Sequence, residues 1–362
     1  QWGWGNINEK IRIYKKKTGR NFDKRSKIEI LNDLKKENIN TTLMVSPGWY
    51  YVNQEQKEIL PLSGISNQNT IVNNENGYYM VYKSDRYGFN NPDIEWDKQD
   101  TELLVIGDSY AHGLSVNRPN DISSLLRTLS NKSLINLGYS GNGPLMSYAS
   151  LREYFPRGVK KVFWLYFEGN DLEDLKQELK DPILSKYLLD DNYTQNLMLK
   201  QKIINIKSEQ LLQKNLEKIS NINHHQRGEL RVSITNFVKL FQLRRMFIIL
   251  PKSRARFNIH PFDEESFKKI FFKINNFIEN NGAKLYFVYL PNYPRYKFKD
   301  YRNYLNEIKT IVENFNVKFI DINEEVFLKE KDPLSLYPFK YENHYTREAY
   351  EKIANIIFES LN

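Results

Sequence analysis

From Thr101 onward, short apolar runs alternate with amphipathic stretches. The runs at 103–106, 134–137, 162–167, 285–290 and 317–322 are rich in aliphatic or aromatic residues. None keeps a strict period of two, which is the pattern of strands covered on both faces. Between them, 122–129, 267–280 and 301–315 carry helical periodicity, and a last helix is expected over 346–361. Strand–helix alternation of this kind predicts an α/β protein: a three-layer α/β/α sandwich around a mostly parallel five-stranded sheet.

Two regions break the alternation. In the first hundred residues, 27–38 is helical in pattern through Ile28, Ile30, Leu31 and Leu34. Ser46-Pro47-Gly48 and Asn76-Gly77 mark turns, and Tyr78, Tyr79, Val81 and Tyr82 suggest a short extended segment. Residues 1–100 are therefore expected to be an N-terminal extension packed on the core, with 101–362 as the main domain. The second break, 172–260, reads as a mainly helical insertion, clearest at 171–179 and 197–219. A lid over a pocket and a helical decoration used for oligomerisation both fit that pattern. No internal repeat is visible.

Composition narrows the class. Hydrophobic residues make up 40% of the 362 and charged residues 27%, as in a soluble globular protein. The 24 tyrosines and 21 phenylalanines could line a sugar-binding cleft or simply reflect a biased codon usage. The net charge of +9 is densest at Lys15-Lys16-Lys17, Arg20, Lys24, Arg25 and Lys27. No nucleic-acid-binding motif accompanies it, so no nucleic-acid partner is expected, and an anionic membrane or an acidic glycan explains the charge equally well. The absence of cysteine removes disulfides and thiolate metal sites. His224-His225 and His260 lack carboxylates at metal-ligand spacing, so no metal site is expected. No run is apolar enough to span a membrane. The chain opens at Gln1 rather than Met, which fits an upstream signal peptide, an upstream anchor helix, or simply a chosen starting point.

Four places carry candidate chemistry. Gly107-Asp108-Ser109 closes the first core strand and presents a hydroxyl at its C-terminal end. The block 136–143, with Tyr139-Ser140-Gly141, follows the second strand, and Glu168-Gly169-Asn170-Asp171 follows the third. His344 precedes the last helix. Glycine turns let backbone N–H groups approach a ligand, and a side-chain amide can help them hold an oxyanion. A late histidine can serve as base to a serine. Asp108 and Asp171 read as loop-holding residues that accept backbone hydrogen bonds. His112, three residues past Ser109, could face the pocket.

This ordered set resembles the SGNH, or GDSL-type, hydrolase superfamily over roughly 101–171 and 284–362. The resemblance implies a flavodoxin-like sheet, Ser109 as nucleophile, His344 as base, Gly141 and Asn170 in the oxyanion hole, and no cofactor. Two positions depart from the family pattern. Glu168 stands where the third block usually has glycine and could narrow the pocket or contact substrate. Tyr341 stands where the fifth block has the aspartate of Asp-x-x-His, so the acid is missing from its usual place. Glu342, Asp332, or a backbone carbonyl leaving a Ser–His dyad are the alternatives. The segment 84–90 also resembles parts of bacterial surface-glycan proteins. The expected activity is an esterase acting on acyl, chiefly acetyl, groups of an O-acylated small molecule or glycan. An O-acetyltransferase using the same site, and a catalytically weak glycan-binding or assembly protein, are the alternatives. The expected location is periplasmic or extracellular, at the cell envelope, with the cytoplasm as the alternative.

Overall fold

The computed structural model describes residues 7–48, 59–225 and 262–361. The chain starts with α1 (Ile7–Thr18) and α2 (Lys27–Lys36). A capping box fixes the start of α2: the Ser26 hydroxyl accepts from the Glu29 N–H, and the Glu29 carboxylate accepts from the Ser26 N–H. A small sheet follows, with β2 (Asn69–Ile71) parallel to β1 (Thr41–Leu43) and antiparallel to β3 (Val81–Lys83). Ile30, Leu31, Leu43 and Ile71 form a local cluster there, whereas Ile59, Leu60, Leu62 and Phe89 join the large core of the following residues.

The main sheet contains β4 (Leu103–Gly107), which runs into the one-turn helix α3 (Ser109–His112), then α4 (Ile122–Ser130) and β5 (Leu134–Asn136). Next come α5 (Pro144–Tyr154), β6 (Lys161–Phe167), α6 (Asp171–Glu178), α7 (Pro182–Leu189) and α8 (Gln201–His225). The chain closes with α9 (Glu264–Asn280), β7 (Lys284–Leu290), α10 (Leu305–Asn314), β8 (Lys318–Asp321) and α11 (Arg347–Glu359). The helix expected from 301 begins at Leu305, whose N–H donates to the Asn303 side chain at 3.1 Å.

The five strands are all parallel, in the order β5-β4-β6-β7-β8. This is the expected three-layer α/β/α sandwich. Leu104, Ile106, Val162, Trp164 and Phe287 share one core with α5, α9 and α10. Leu103, Val105, Phe163, Leu165 and Val288 share the other with α4 and α11. Successive strand residues thus enter opposite cores, which is why the runs are continuously apolar.

The order places the chain reversal at β4. From β4 the chain moves to β5 on one side, then crosses to β6 on the other. In open parallel sheets, the crevice beyond the carboxyl ends of the strands at such a reversal is the usual ligand site. Ser109, the 136–143 block and the 168–171 block all leave the sheet there.

The described part of the insertion packs down on its neighbours. Leu175, Leu184, Tyr187, Leu197 and Ile204 enter the large core, and Leu212 and Leu216 pack on the cluster of the first hundred residues. Asn205 accepts from the Ser66 N–H, and Gln195 accepts from the Leu60 N–H.

Candidate active site

The end of β4 is built for a tight strand-to-helix turn. Gly107 has φ +140°, and a Cβ there would lie 2.4 Å from the Leu165 carbonyl oxygen of the adjacent strand. Only glycine lets the backbone pass that close. Asp108 then caps α3 by accepting from the Tyr110 N–H at 2.8 Å. Ser109 is left at the start of the helix, half-buried, facing His344.

Ser109 Oγ lies 2.8 Å from His344 Nε2. On the other side of the ring, His344 Nδ1 lies 3.0 Å and 3.2 Å from the two carboxylate oxygens of Glu75. Glu75 Oε2 also accepts from the His344 backbone N–H at 2.8 Å. A carboxylate can only accept, so Nδ1 carries the ring hydrogen and Nε2 is free to accept the serine proton. Burial pushes the Glu75 carboxyl up, but the His344 ring and its N–H donors, helped by Ser115, outweigh it and hold the group down at about 2.

Glu75 corrects the expected acid. Asp332 pairs with Lys340 at 2.5 Å, and Glu342 is exposed, so neither is the group on His344 Nδ1. The Ser–His dyad completed by a backbone carbonyl is excluded for the same reason. Glu75 sits at the tip of the β2–β3 hairpin, which closes through Val72 N–H to Met80 O at 2.9 Å and Met80 N–H to Asn73 O at 2.8 Å. That tip is docked on the loop after α3. The Ser115 hydroxyl donates to Glu75 Oε2 at 2.7 Å, and the Asn76 amide donates to Ser115 O at 2.8 Å. Asn73 donates to Glu75 Oε1 at 3.1 Å. Tyr341, in the usual place of the acid, donates instead to Glu9 of α1 at 2.8 Å, and Lys10 lies over its ring.

The turn carrying Gly141 is held from several directions. Gly141 has φ +89°, and a Cβ would meet Ser46 Oγ at 2.7 Å. Ser46 donates to Ser140 O, and the Tyr139 N–H donates to Gly107 O at 3.2 Å, which ties the turn to the end of β4. The Gly143 and Leu145 N–H groups donate to Glu178. Burial and the nearby Asp174 push Glu178 up to about 8, against the pull of those donors. His112 is fully buried rather than facing an open pocket, and its Nδ1 accepts from the Ser140 N–H at 3.2 Å.

Asn170 occupies the cap position of α6 without making a capping bond. Its amide donates to Asp174, which uses one of the two N–H hydrogens and leaves the other. Asp108 and Asp171 hold loops as expected: Asp171 accepts from the Phe167 N–H at 3.0 Å. Burial and the charges of Asp108 and Asp174 push Asp171 well above the usual carboxylate range. Glu168 does not contact an open pocket. It accepts from Tyr289 OH, the Asn292 N–H and Arg295, and its side chain is 2% exposed.

Among the described residues no cluster has the make-up of a metal site. His224, His225 and His260 lie outside the described side chains. No described helix is long and apolar enough to cross a membrane.

No protein-family model matches the chain, and no curated protein does. Among solved structures, it is similar to a member of the lipolytic protein G-D-S-L family from Veillonella parvula. That likeness has TM-score 0.39 and 11% identity, and covers 72% of this chain and 97% of that one. It is also similar to the psychrotrophic esterase EstA from Pseudoalteromonas sp., with TM-score 0.32 and 14% identity, over 72% of this chain and 97% of that one. Neither likeness assigns a role to any side chain of this chain.

Proposed function

We propose that the chain is a serine esterase of the SGNH type. The observation that carries the reading is the continuous line from Ser109 Oγ through His344 to Glu75. His344 Nε2 takes the Ser109 proton as Oγ attacks an ester carbonyl, and Glu75 stabilises the imidazolium that forms. The tetrahedral intermediate collapses as His344 returns the proton to the leaving alcohol, leaving an acyl-serine. A water then attacks that acyl group, His344 takes its proton, and the acid leaves as Ser109 is regenerated.

The Gly141 N–H, the Ser109 N–H and the Asn170 amide are the proposed oxyanion donors. From 139 to 143, every backbone N–H except that of Gly141 has a partner among the described residues. A donor left open beside a nucleophile is what oxyanion stabilisation needs, and one such donor supplies about 2.7–4 kcal/mol.

The finer reading is an acetyl ester on a carbohydrate in the cell envelope, supported by the glycan-protein resemblance of 84–90. Transfer to a sugar hydroxyl uses the same residues and differs in whether water or alcohol resolves the acyl-serine. The catalytically weak binding protein rested on a missing acid; with Glu75 on His344, that support is gone.

The test is turnover of p-nitrophenyl acetate and labelling by a fluorophosphonate probe. Ser109→Ala is expected to lose about 10⁴-fold or more in kcat and all labelling. Equal turnover by both proteins with no labelling of wild type overturns the reading.

A further inference from the structure

The esterase reading uses Ser109, His344 and Glu75, and leaves unexplained a second histidine buried three residues from the nucleophile. His112 has no solvent exposure. Its ring stacks on Tyr139 at 4.5 Å and 26° and takes the Tyr82 ring edge-on at 5.1 Å. Its backbone is fixed at both ends: the N–H donates to Asp108 O, and the carbonyl accepts from the Asn90 amide at 2.9 Å. The ring is held between Tyr139 and Tyr82 with Nε2 buried and without a hydrogen-bond partner among the described residues, and its Nδ1 accepts from the Ser140 N–H at 3.2 Å.

A buried aromatic ring alone would serve packing, and phenylalanine would do it as well. The nitrogen is the unexplained part. A backbone N–H is not a partner chosen for packing, and this one immediately precedes Gly141. The other groups of the turn are taken elsewhere: Tyr139 N–H by Gly107 O, Ser140 O by Ser46, Asn142 N–H by Tyr139 O, and Gly143 N–H by Glu178. Without His112, the Ser140 N–H would be a buried donor with no acceptor, and the turn would rotate to satisfy it. That rotation would carry the neighbouring Gly141 peptide with it.

We infer that His112 is a positioning residue: its Nδ1 binds the Ser140 N–H and thereby fixes the Gly141 N–H as the donor left open to substrate. The inference rests on the esterase reading for its catalytic consequence. The role requires an unprotonated Nδ1, and the surroundings supply it. Burial, with the nearby His344 adding to it, lowers His112 to about 3, so the acceptor persists through neutral pH.

Two substitutions separate positioning from packing. His112→Phe keeps a ring against Tyr139 and removes the acceptor. His112→Asn gives up ring area and puts an amide oxygen near the Nδ1 position. The phenylalanine variant is expected to lose about 10²-fold in kcat on p-nitrophenyl acetate, with KM moving by less than about threefold, as for a lost transition-state donor. The asparagine variant is expected to recover most of that loss. Hydrogen exchange read at the Ser140 amide should be fast in His112→Phe and protected in wild type and His112→Asn. Unchanged protection at Ser140 in His112→Phe, or an asparagine variant no better than the phenylalanine one, overturns the inference with the esterase reading intact. Failure of Ser109-dependent turnover in wild type overturns the esterase reading and the catalytic role of His112 with it. If His112→Phe does not fold, the asparagine variant decides, since packing alone predicts that it too is impaired.

Discussion

Two regions of the molecule meet at His344, and they are built differently. The carboxyl edge of the main sheet supplies Ser109, Gly141 and Asn170 from loops that follow three parallel strands. Each position there is dictated by strand order and by glycines that allow close approach. The β2–β3 hairpin supplies Glu75 from a small three-stranded sheet that is separate from the main one. On the proposed reading the edge presents the reacting atoms, whereas the hairpin presents a charge and is held by side-chain amides and Ser115. The acid of a catalytic set orients the histidine and stabilises its cation, and any element that brings a carboxylate to Nδ1 can do that. The nucleophile has no such freedom, because it must share its loop geometry with the oxyanion donors.

The sharpest way to break this contrast is to remove the hairpin's contribution. Glu75→Gln is expected to lower kcat by about 10⁴-fold, as loss of the orienting carboxylate does in serine enzymes. Glu342→Gln and Asp332→Asn should each stay within about twofold of wild type, because neither group lies on His344 Nδ1. Turnover of p-nitrophenyl acetate by the three purified variants decides the matter. A fully active Glu75→Gln returns the acid to the loop before the last helix.

The edge was legible in the chain and the hairpin's role was not, for one physical reason. The runs at 103–106 and 162–167 announce buried strands because both faces are covered, and a parallel sheet fixes where their ends lie. Ser109 follows from that geometry, whereas His344, 235 residues later and before the last helix, was legible through the family resemblance. The Asn76-Gly77 turn and the extended residues after it were also readable as local structure. What could not be read was that the hairpin tip docks on Ser115, a contact set by packing between regions and not by any period in the sequence. Glu75 is one of 44 acidic residues, and nothing in its neighbours marks it as the partner of a histidine 269 positions later. Glu168 shows the converse. Its place in the third block suggested a substrate contact, yet Arg295 and the start of the loop after β7 absorb it entirely.

That ion pair gives the next test, on stability. Arg295→Leu leaves Glu168 buried without its cation, and breaking such a pair costs about 3–5 kcal/mol. Glu168→Gln should cost less, since the amide oxygen still accepts from the Asn292 N–H. Denaturant unfolding of the two variants measures the difference. If both are as stable as wild type, the 168–171 block is not anchored by this pair, and the edge is held by the strands alone.

The smallest expected effect sets the two regions against each other through pH. Glu75, on the hairpin, is held below its ordinary value of 4.5, at about 2. The stability it contributes is present above 4.5 and is lost as pH falls toward 2. Glu178, on the edge, is raised from 4.5 to about 8. It favours the folded state fully below 4.5, and that contribution drains away as pH rises through 8. Glu75 therefore contributes a loss of stability toward acid and Glu178 a loss toward alkali. Between pH 5 and 8 the edge contribution changes by up to about 1.4 kcal/mol per pH unit for a single proton. Asp171 is raised and His112 lowered as well, so the readout is the difference between proteins. Thermal unfolding at pH 5, 6, 7 and 8 should show Glu178→Gln gaining on wild type as pH rises, whereas the gap between Glu75→Gln and wild type stays constant over that range. The same slope in Glu178→Gln as in wild type would mean that the N–H donors of Gly143 and Leu145 keep Glu178 ionised throughout. The edge would then be held by a charge, as the hairpin is.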